Sequence, residues 1–168
     1  DEGKPATERT EAWGVYDESA LYVAMRAYES DASEIRGQLT RRDQGDDLLS
    51  DQLFVGIDSY LDKRTAFIFG VNPVGVQFDI YMFDDVQDDA GWDAVWDVAT
   101  SRDEEGWTTE FRIPFSQLRF NKAESQTWGI NFVRQIARKG EMSMWAPASM
   151  REMALVSRFG ELRGLRGI

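Results

Sequence analysis

The stretch ALYVAMRAY, residues 20–28, decides the fold. Leu21, Val23, Met25 and Ala27 fall on one side of an extended chain and Tyr22, Ala24, Arg26 and Tyr28 on the other, the period of two that belongs to a sheet strand. Upstream, Thr10–Tyr16 is a first strand, joined to it through Asp17-Glu18-Ser19. Downstream, similar runs at 52–59, 64–71, 76–83, 94–101, 107–113 and 126–136 are each bounded by Gly, Pro, Asp or Asn. Tight turns are expected at 60–63, 72–75 and 103–106, so consecutive strands are expected to pair antiparallel. Only 33–39 and 114–118 look helical, the latter a single turn opened by Pro114. Many short strands with almost no helix predict an all-β, antiparallel, jelly-roll-like sandwich.

The chain has 168 residues, of which 42% are hydrophobic, with no Cys, no His and a net charge of −11. That length supports one self-sufficient core, expected over residues 1–168. Without His or Cys there is no Ser-His-Asp or Cys-His pair, no thiolate or imidazole zinc site and no His-ligated haem. The acidic balance argues against nucleic acid, whose phosphates call for a basic face. The charge is uneven: residues 1–111 carry 26 acids and 9 bases, residues 112–168 carry 4 and 10. That basic C-terminal part suits either an acidic partner or a mixed solvated surface.

Three groups of residues invite a functional reading. Between Asp84 and Glu105 lie nine acids and one base, with Asp84, Asp85, Asp88, Asp89 and Asp93 inside ten positions. Calcium takes six to eight oxygens, and such a loop offers them, although the spacing is not that of an EF-hand; the alternative is a solvated hairpin loop. Asp43, Asp46, Asp47 and Asp51 form a second acidic stretch with the same two readings. If the two loops meet, a cation is needed to relieve their repulsion.

The second group is aromatic. Sugars are gripped by stacking their C–H faces on Trp or Tyr, with polar side chains at the rim. Trp107 shares a strand face with Phe111 and Ile113, and Trp128 one with Ile130 and Phe132, so both are assigned to the core. Trp92 and Trp145 lack such partners and are expected to be exposed. The third group is polar residues on second strand faces: Arg26, Gln77, Asp79, Glu110, Arg112, Asn131 and Gln135. They either meet water or form a polar concave surface for a ligand, and Arg26 and Glu110 are placed to pair across strands. Carboxylate pairs of the glycosidase kind are too common among thirty acids to signal catalysis.

The pieces EAWGVYDESALYVAMRAYESD (11–31), SDQLFVGIDSYLDKRTAFIFGVNPVGVQFD (50–79), WDAVWDVAT (92–100), EGWTTEFRIPFSQLRF (105–120), WGINFVRQIAR (128–138) and SRFGELRGL (157–165), in this order, resemble the family 9 carbohydrate-binding modules. More closely they resemble the variant at the N-terminus of large bacterial envelope proteins that continue into an outer-membrane β-barrel region. The resemblance implies a DOMON-like sandwich, non-catalytic glycan binding, frequent structural calcium and an extracytoplasmic location, in the periplasm or at the outer membrane. Members usually open with a segment of the type IDG-x-LDE-x-W, which is not seen here, so a domain cut from a longer protein is expected. Sugar-binding members hold the ligand between two Trp side chains, and those positions fall at Leu48 and Met153. A Glu and an Arg of the same site fall at Phe54 and Gly70, leaving Asn72 of that group. Either Trp92 or Trp145 has taken over, or sugar binding has given way to docking on the downstream β-barrel or another envelope partner. A DOMON domain holding haem is disfavoured by the lack of His.

Overall fold

The structure is a computed structural model and describes residues 3–43, 49–148 and 154–168. Eleven strands are formed: β1 (Thr10–Tyr16), β2 (Ala20–Tyr28), β3 (Gln52–Asp58), β4 (Ala66–Val71), β5 (Gln77–Phe83), β6 (Gln87–Asp89), β7 (Asp97–Asp103), β8 (Gly106–Pro114), β9 (Ser125–Ile136), β10 (Glu141–Met144) and β11 (Gly160–Arg166). They make two antiparallel sheets. One has the order β1-β2-β8-β7; the other runs β10-β9-β3-β4-β5-β6, with β11 also pairing to β9. The antiparallel sandwich expected from the sequence is what the chain adopts.

The alternation that marks β2 sets the inner face. Leu21, Val23, Met25 and Ala27 are buried together with Trp107, Phe111 and Ile113 of β8. Across the interface stand Leu53, Val55 and Ile57 of β3, Phe67 and Phe69 of β4, and Trp128 and Ile130 of β9. Trp107 and Trp128 are fully buried, as their strand partners require. Trp96 stacks on Phe111 with ring centroids 5.7 Å apart and meets Phe69 edge-on at 5.3 Å, so aromatic pairs tie the two sheets together.

One end of the sandwich is fixed by charge. Arg134 of β9, 2% exposed, reaches across to the other sheet and donates to the Arg9 carbonyl (2.9 Å), Thr10 Oγ1 (3.1 Å), the Tyr28 carbonyl (2.8 Å) and the Glu29 carboxylate (2.6 Å). Arg138 also binds Glu29, and Lys139 binds Glu8 at 2.6 Å. A buried guanidinium this fully paired is costly to break.

Three expectations need correction. The 33–39 segment is not a helix but one 3-10 turn at Ala32–Glu34, because the backbone beyond Ile35 pairs with residues 50–51 instead: Arg36 N–H donates to the Asp51 carboxylate (3.1 Å), the Arg36 carbonyl accepts from Asp51 N–H (2.9 Å) and Gln38 N–H donates to Ser50 Oγ (2.8 Å). The 94–101 strand begins at Asp97, since the Ala94 N–H is given to the Asp79 carboxylate (2.6 Å) and the Trp96 ring turns into the core. Arg26 does not pair with Glu110. It stands opposite Thr108 and binds Asp103 (2.6 Å) and Glu105 (3.7 Å).

Candidate functional site

The open flank of the sandwich lies between the edge strand β1 and the β9–β10 side of the other sheet. The β1–β2 pairing begins with Tyr28 N–H donating to the Arg9 carbonyl (3.0 Å) and ends with Asp17 N–H donating to the Ala20 carbonyl (3.1 Å). In an antiparallel ladder the intervening odd residues face β2, so the N–H and C=O of Ala12 point away from it. They point toward a cleft of about 400 Å³ lined by Glu11, Ala12, Trp13, Phe132 and Trp145. A smaller recess of about 190 Å³ continues from it past Glu8, Thr10, Arg134 and Ser143. Together they have an aromatic mouth and a mostly apolar lining, with Met25, Val133 and Met144, set with a few polar groups, the usual make-up of a small-ligand site.

Trp145 is held rigidly at the mouth. Its backbone N–H donates to the Phe132 carbonyl at 2.9 Å, and its ring meets Phe132 edge-on at 5.9 Å. The next residue is clamped by buried Asn131, whose amide donates to the Ala146 carbonyl and accepts from the Ala146 N–H, both at 2.9 Å. The ring nonetheless remains 59% exposed. Trp13 faces it from β1 at 54% exposure. Sequence reasoning missed Trp13. The signal was its register: it stands opposite Ala24, on the outer face with Tyr22 and Arg26, so its side chain never enters the core.

The remaining candidates lie elsewhere. Trp92 is half-buried against the core, its ring 5.1 Å from Phe67 and 5.8 Å from Phe69, and is not the free platform its loop position suggests. Asn72 is buried in the β4–β5 turn. It donates to the Gln38 carbonyl (2.8 Å) and accepts from the Val74 (3.1 Å) and Val76 (3.0 Å) N–H groups, which occupies its amide with the turn itself. Leu48 and Met153 lie outside the described residues. Phe54 packs into the space above Gly70, where a Cβ would collide with its ring. The outer face of that sheet is filled by a second apolar cluster of Ala66, Met82 and Val156 with Ile68, Ile80 and Phe159. Apolar side chains thus stand where the resemblance puts sugar-binding polar ones.

The four aspartates proposed for calcium do not converge. Asp84 pairs with Arg64 (2.5 Å). Asp85 accepts from Leu155 N–H (3.0 Å), Ser157 N–H and Ser157 Oγ (both 2.8 Å); burial pushes its carboxyl up, but those donors outweigh it and hold the carboxyl below its ordinary range. Asp88 is exposed on β6, and Asp89 accepts from Gly91 N–H at 2.9 Å. Among the described residues no three acidic side chains are grouped to hold a metal ion, so this loop does not fit a calcium site. Asp46 and Asp47 lie outside the described residues. Asp51 is buried and accepts from Arg36 N–H (3.1 Å) and Ala137 N–H (2.8 Å).

The two acidic stretches meet where Asp43 comes near Asp93, and an arginine provides the cation there. Arg42 binds Asp79 and lies 3.4 Å from Asp43, while also donating to the Ala94 carbonyl at 2.6 Å. Burial raises the Asp43 carboxyl, with Asp79 and Asp93 adding repulsion.

No family model matches the sequence, and no curated protein matches it. Solved structures do. The family 9 carbohydrate-binding module of Caldicellulosiruptor kristjanssonii in complex with glucose is similar with a TM-score of 0.69 at 16% identity, over 96% of this chain and 78% of that one. The same module with cellotriose gives 0.68 at 16% identity, over 96% and 77%. A candidate carbohydrate-binding protein of Bacteroides uniformis gives 0.73 at 13% identity, over 95% and 79%. The chain therefore has the β-sandwich fold of the family 9 carbohydrate-binding modules.

Proposed function

We propose that the chain is a non-catalytic glycan-binding module of an exported bacterial protein, working outside the cytoplasm, and that it takes its ligand in the cleft between Trp13 and Trp145. The observation that carries this reading is two exposed indoles lining one cleft of about 400 Å³. Indole faces stack on the C–H faces of a pyranose, and the backbone of Ala12 stands at the edge for hydroxyls. The solved neighbours hold glucose and cellotriose, which supports a β-glucan-type ligand here. Catalysis is not part of the reading. The two carboxylates in the cleft and its recess are already engaged, Glu11 by Arg9 and by Tyr28 (3.0 Å), Glu8 by Lys139 and Ser30 (2.7 Å). Titration of cellotriose against the native protein and Trp145→Ala tests it: binding lost in the variant supports the cleft, and unchanged binding removes it.

A second reading has its own observation. Among the described residues no strand pairs with the outer edge of β1, which carries Val15 at 66% exposure beside Trp13 and Tyr16. An apolar, unpaired edge strand accepts a further strand. In that reading the module docks a segment of a downstream β-barrel of the same polypeptide, and sugars do not bind.

A further inference from the structure

The outer face of the four-stranded sheet carries a groove of about 550 Å³, of which the preceding reading uses only Trp13. Its geometry follows from the register. Trp13 stands opposite Ala24, Ala24 opposite Glu110, and Glu110 opposite Ala99, so one row across the sheet reads Trp, Ala, Glu, Ala. The adjoining row reads Val15, Tyr22, Arg112, Asp97. Strands lie about 4.8 Å apart, which puts Trp13 and Glu110 roughly 10 Å apart with only the Ala24 methyl between them. Side chains stand perpendicular to a sheet. The gap is therefore a slot with an indole wall, a carboxylate wall and a flat apolar floor, wide enough for one pyranose ring.

The charge of the slot is specific. Arg112 is bound by Asp97 at 3.2 Å, and Arg26 by Asp103 and Glu105. The Glu110 carboxylate has no hydrogen bond or ion pair among the described residues. Both nearby cations are thus taken, and the slot keeps a single unanswered negative charge beside an aromatic face. An ammonium group suits both walls, through a charge-assisted hydrogen bond on one side and the ring quadrupole on the other. The chain's charge of −11 draws cationic ligands and repels anionic ones.

We propose that this groove is a second sugar site, selective for an amino sugar with a free, protonated amine, which rests its C–H face on Trp13 and gives its ammonium to Glu110. The proposal rests on the reading that this fold binds glycans, but it uses a different pocket. The test is calorimetric titration of the glucosamine trimer, its fully N-acetylated counterpart and cellotriose against native protein, Glu110→Gln and Trp145→Ala. It is run at about pH 6, where carboxylates are ionised and sugar amines largely protonated. The glucosamine trimer is expected to bind at least about tenfold more tightly than the acetylated trimer, and the advantage to shrink as salt rises from roughly 0.05 to 0.5 M. Glu110→Gln, an exposed and isosteric change, abolishes the advantage; Trp145→Ala leaves it in place. Equal binding of the two trimers, or a preference that survives Glu110→Gln, overturns the proposal. Trp13 borders both sites, so the variants that separate them are Trp145→Ala, whose loss of cellotriose binding bears on the inter-sheet cleft, and Glu110→Gln, whose loss of the amine preference bears on the groove.

Discussion

The indole of Trp145 occupies the volume that a side chain at Gly160 would fill: a Cβ on Gly160 would overlap the ring. Trp145 follows β10 and Gly160 opens β11, so the two short strands that pair one after the other along the same edge of β9 meet at this contact. The glycine is what lets the ring lie against the sheet and present its other face to the cleft.

Gly160→Ala is therefore expected to push the indole out of place without disturbing the core. Cellotriose affinity should fall about tenfold or more, roughly 1.4 kcal/mol, with a shift in tryptophan emission. Titration of the folded variant checks this, and native affinity would separate the ring's position from binding.

Trp92 and Trp145 should part company in stability. Trp92→Ala removes a ring packed on Phe67 and Phe69, at an expected cost of about 2–4 kcal/mol for a half-buried Trp. Trp145→Ala removes a mostly exposed ring and should cost under about 1 kcal/mol. Urea unfolding of the two variants measures the difference.

Arg134→Met should destabilise the protein by about 3 kcal/mol, because buried Glu29 loses one of its two arginines and the Arg9 and Tyr28 carbonyls lose their donor. Adding Glu29→Leu to Arg134→Met should recover only part of that loss, because Arg138 is then left with Glu8 and Glu34, each 3.4 Å away. Denaturant melts of the single and double variants complete the cycle.

Acid should unfold the protein in a defined window. For Glu8 burial raises the pKa, but hydrogen bonds from Lys139 and Ser30 prevail and bring it from 4.5 to about 2. Asp103, hydrogen-bonded by Arg26, falls from 3.8 to about 2. A carboxyl whose folded pKa is depressed stabilises fully above its unfolded pKa and loses that contribution as pH falls toward the folded value. The melting temperature should thus be steady above about pH 5 and drop between about 4.5 and 2. Glu8→Gln should flatten part of that slope, as thermal melts across the range would show.

Most of the sandwich was legible because core strands alternate. β1 and β2 match their expected bounds, and β3, β4, β5, β8 and β9 match within two residues. β6 left no trace because Gln87-Asp88-Asp89 has no apolar phase and is held only by backbone pairing with Tyr81, Met82 and Phe83. Trp13 was hidden by an inverted phase. In edge strand β1 the small residues Ala12 and Gly14 face inward, while Trp13 and Val15 face out. Asp84 and Asp85 read as ligands in sequence, but both sit at positive φ in a turn, 48° and 71°, and spend their oxygens on Arg64 and on the 155–157 backbone. Such partners are far away in sequence and invisible to spacing.

The measurement that bears most directly on the account is calorimetric titration of cellotriose against the native protein, Trp13→Ala and Trp145→Ala, each first shown to be folded. The native protein is expected to bind at millimolar or tighter affinity, and each variant at least about tenfold more weakly. No binding by the native protein, or binding that both variants retain, would contradict it.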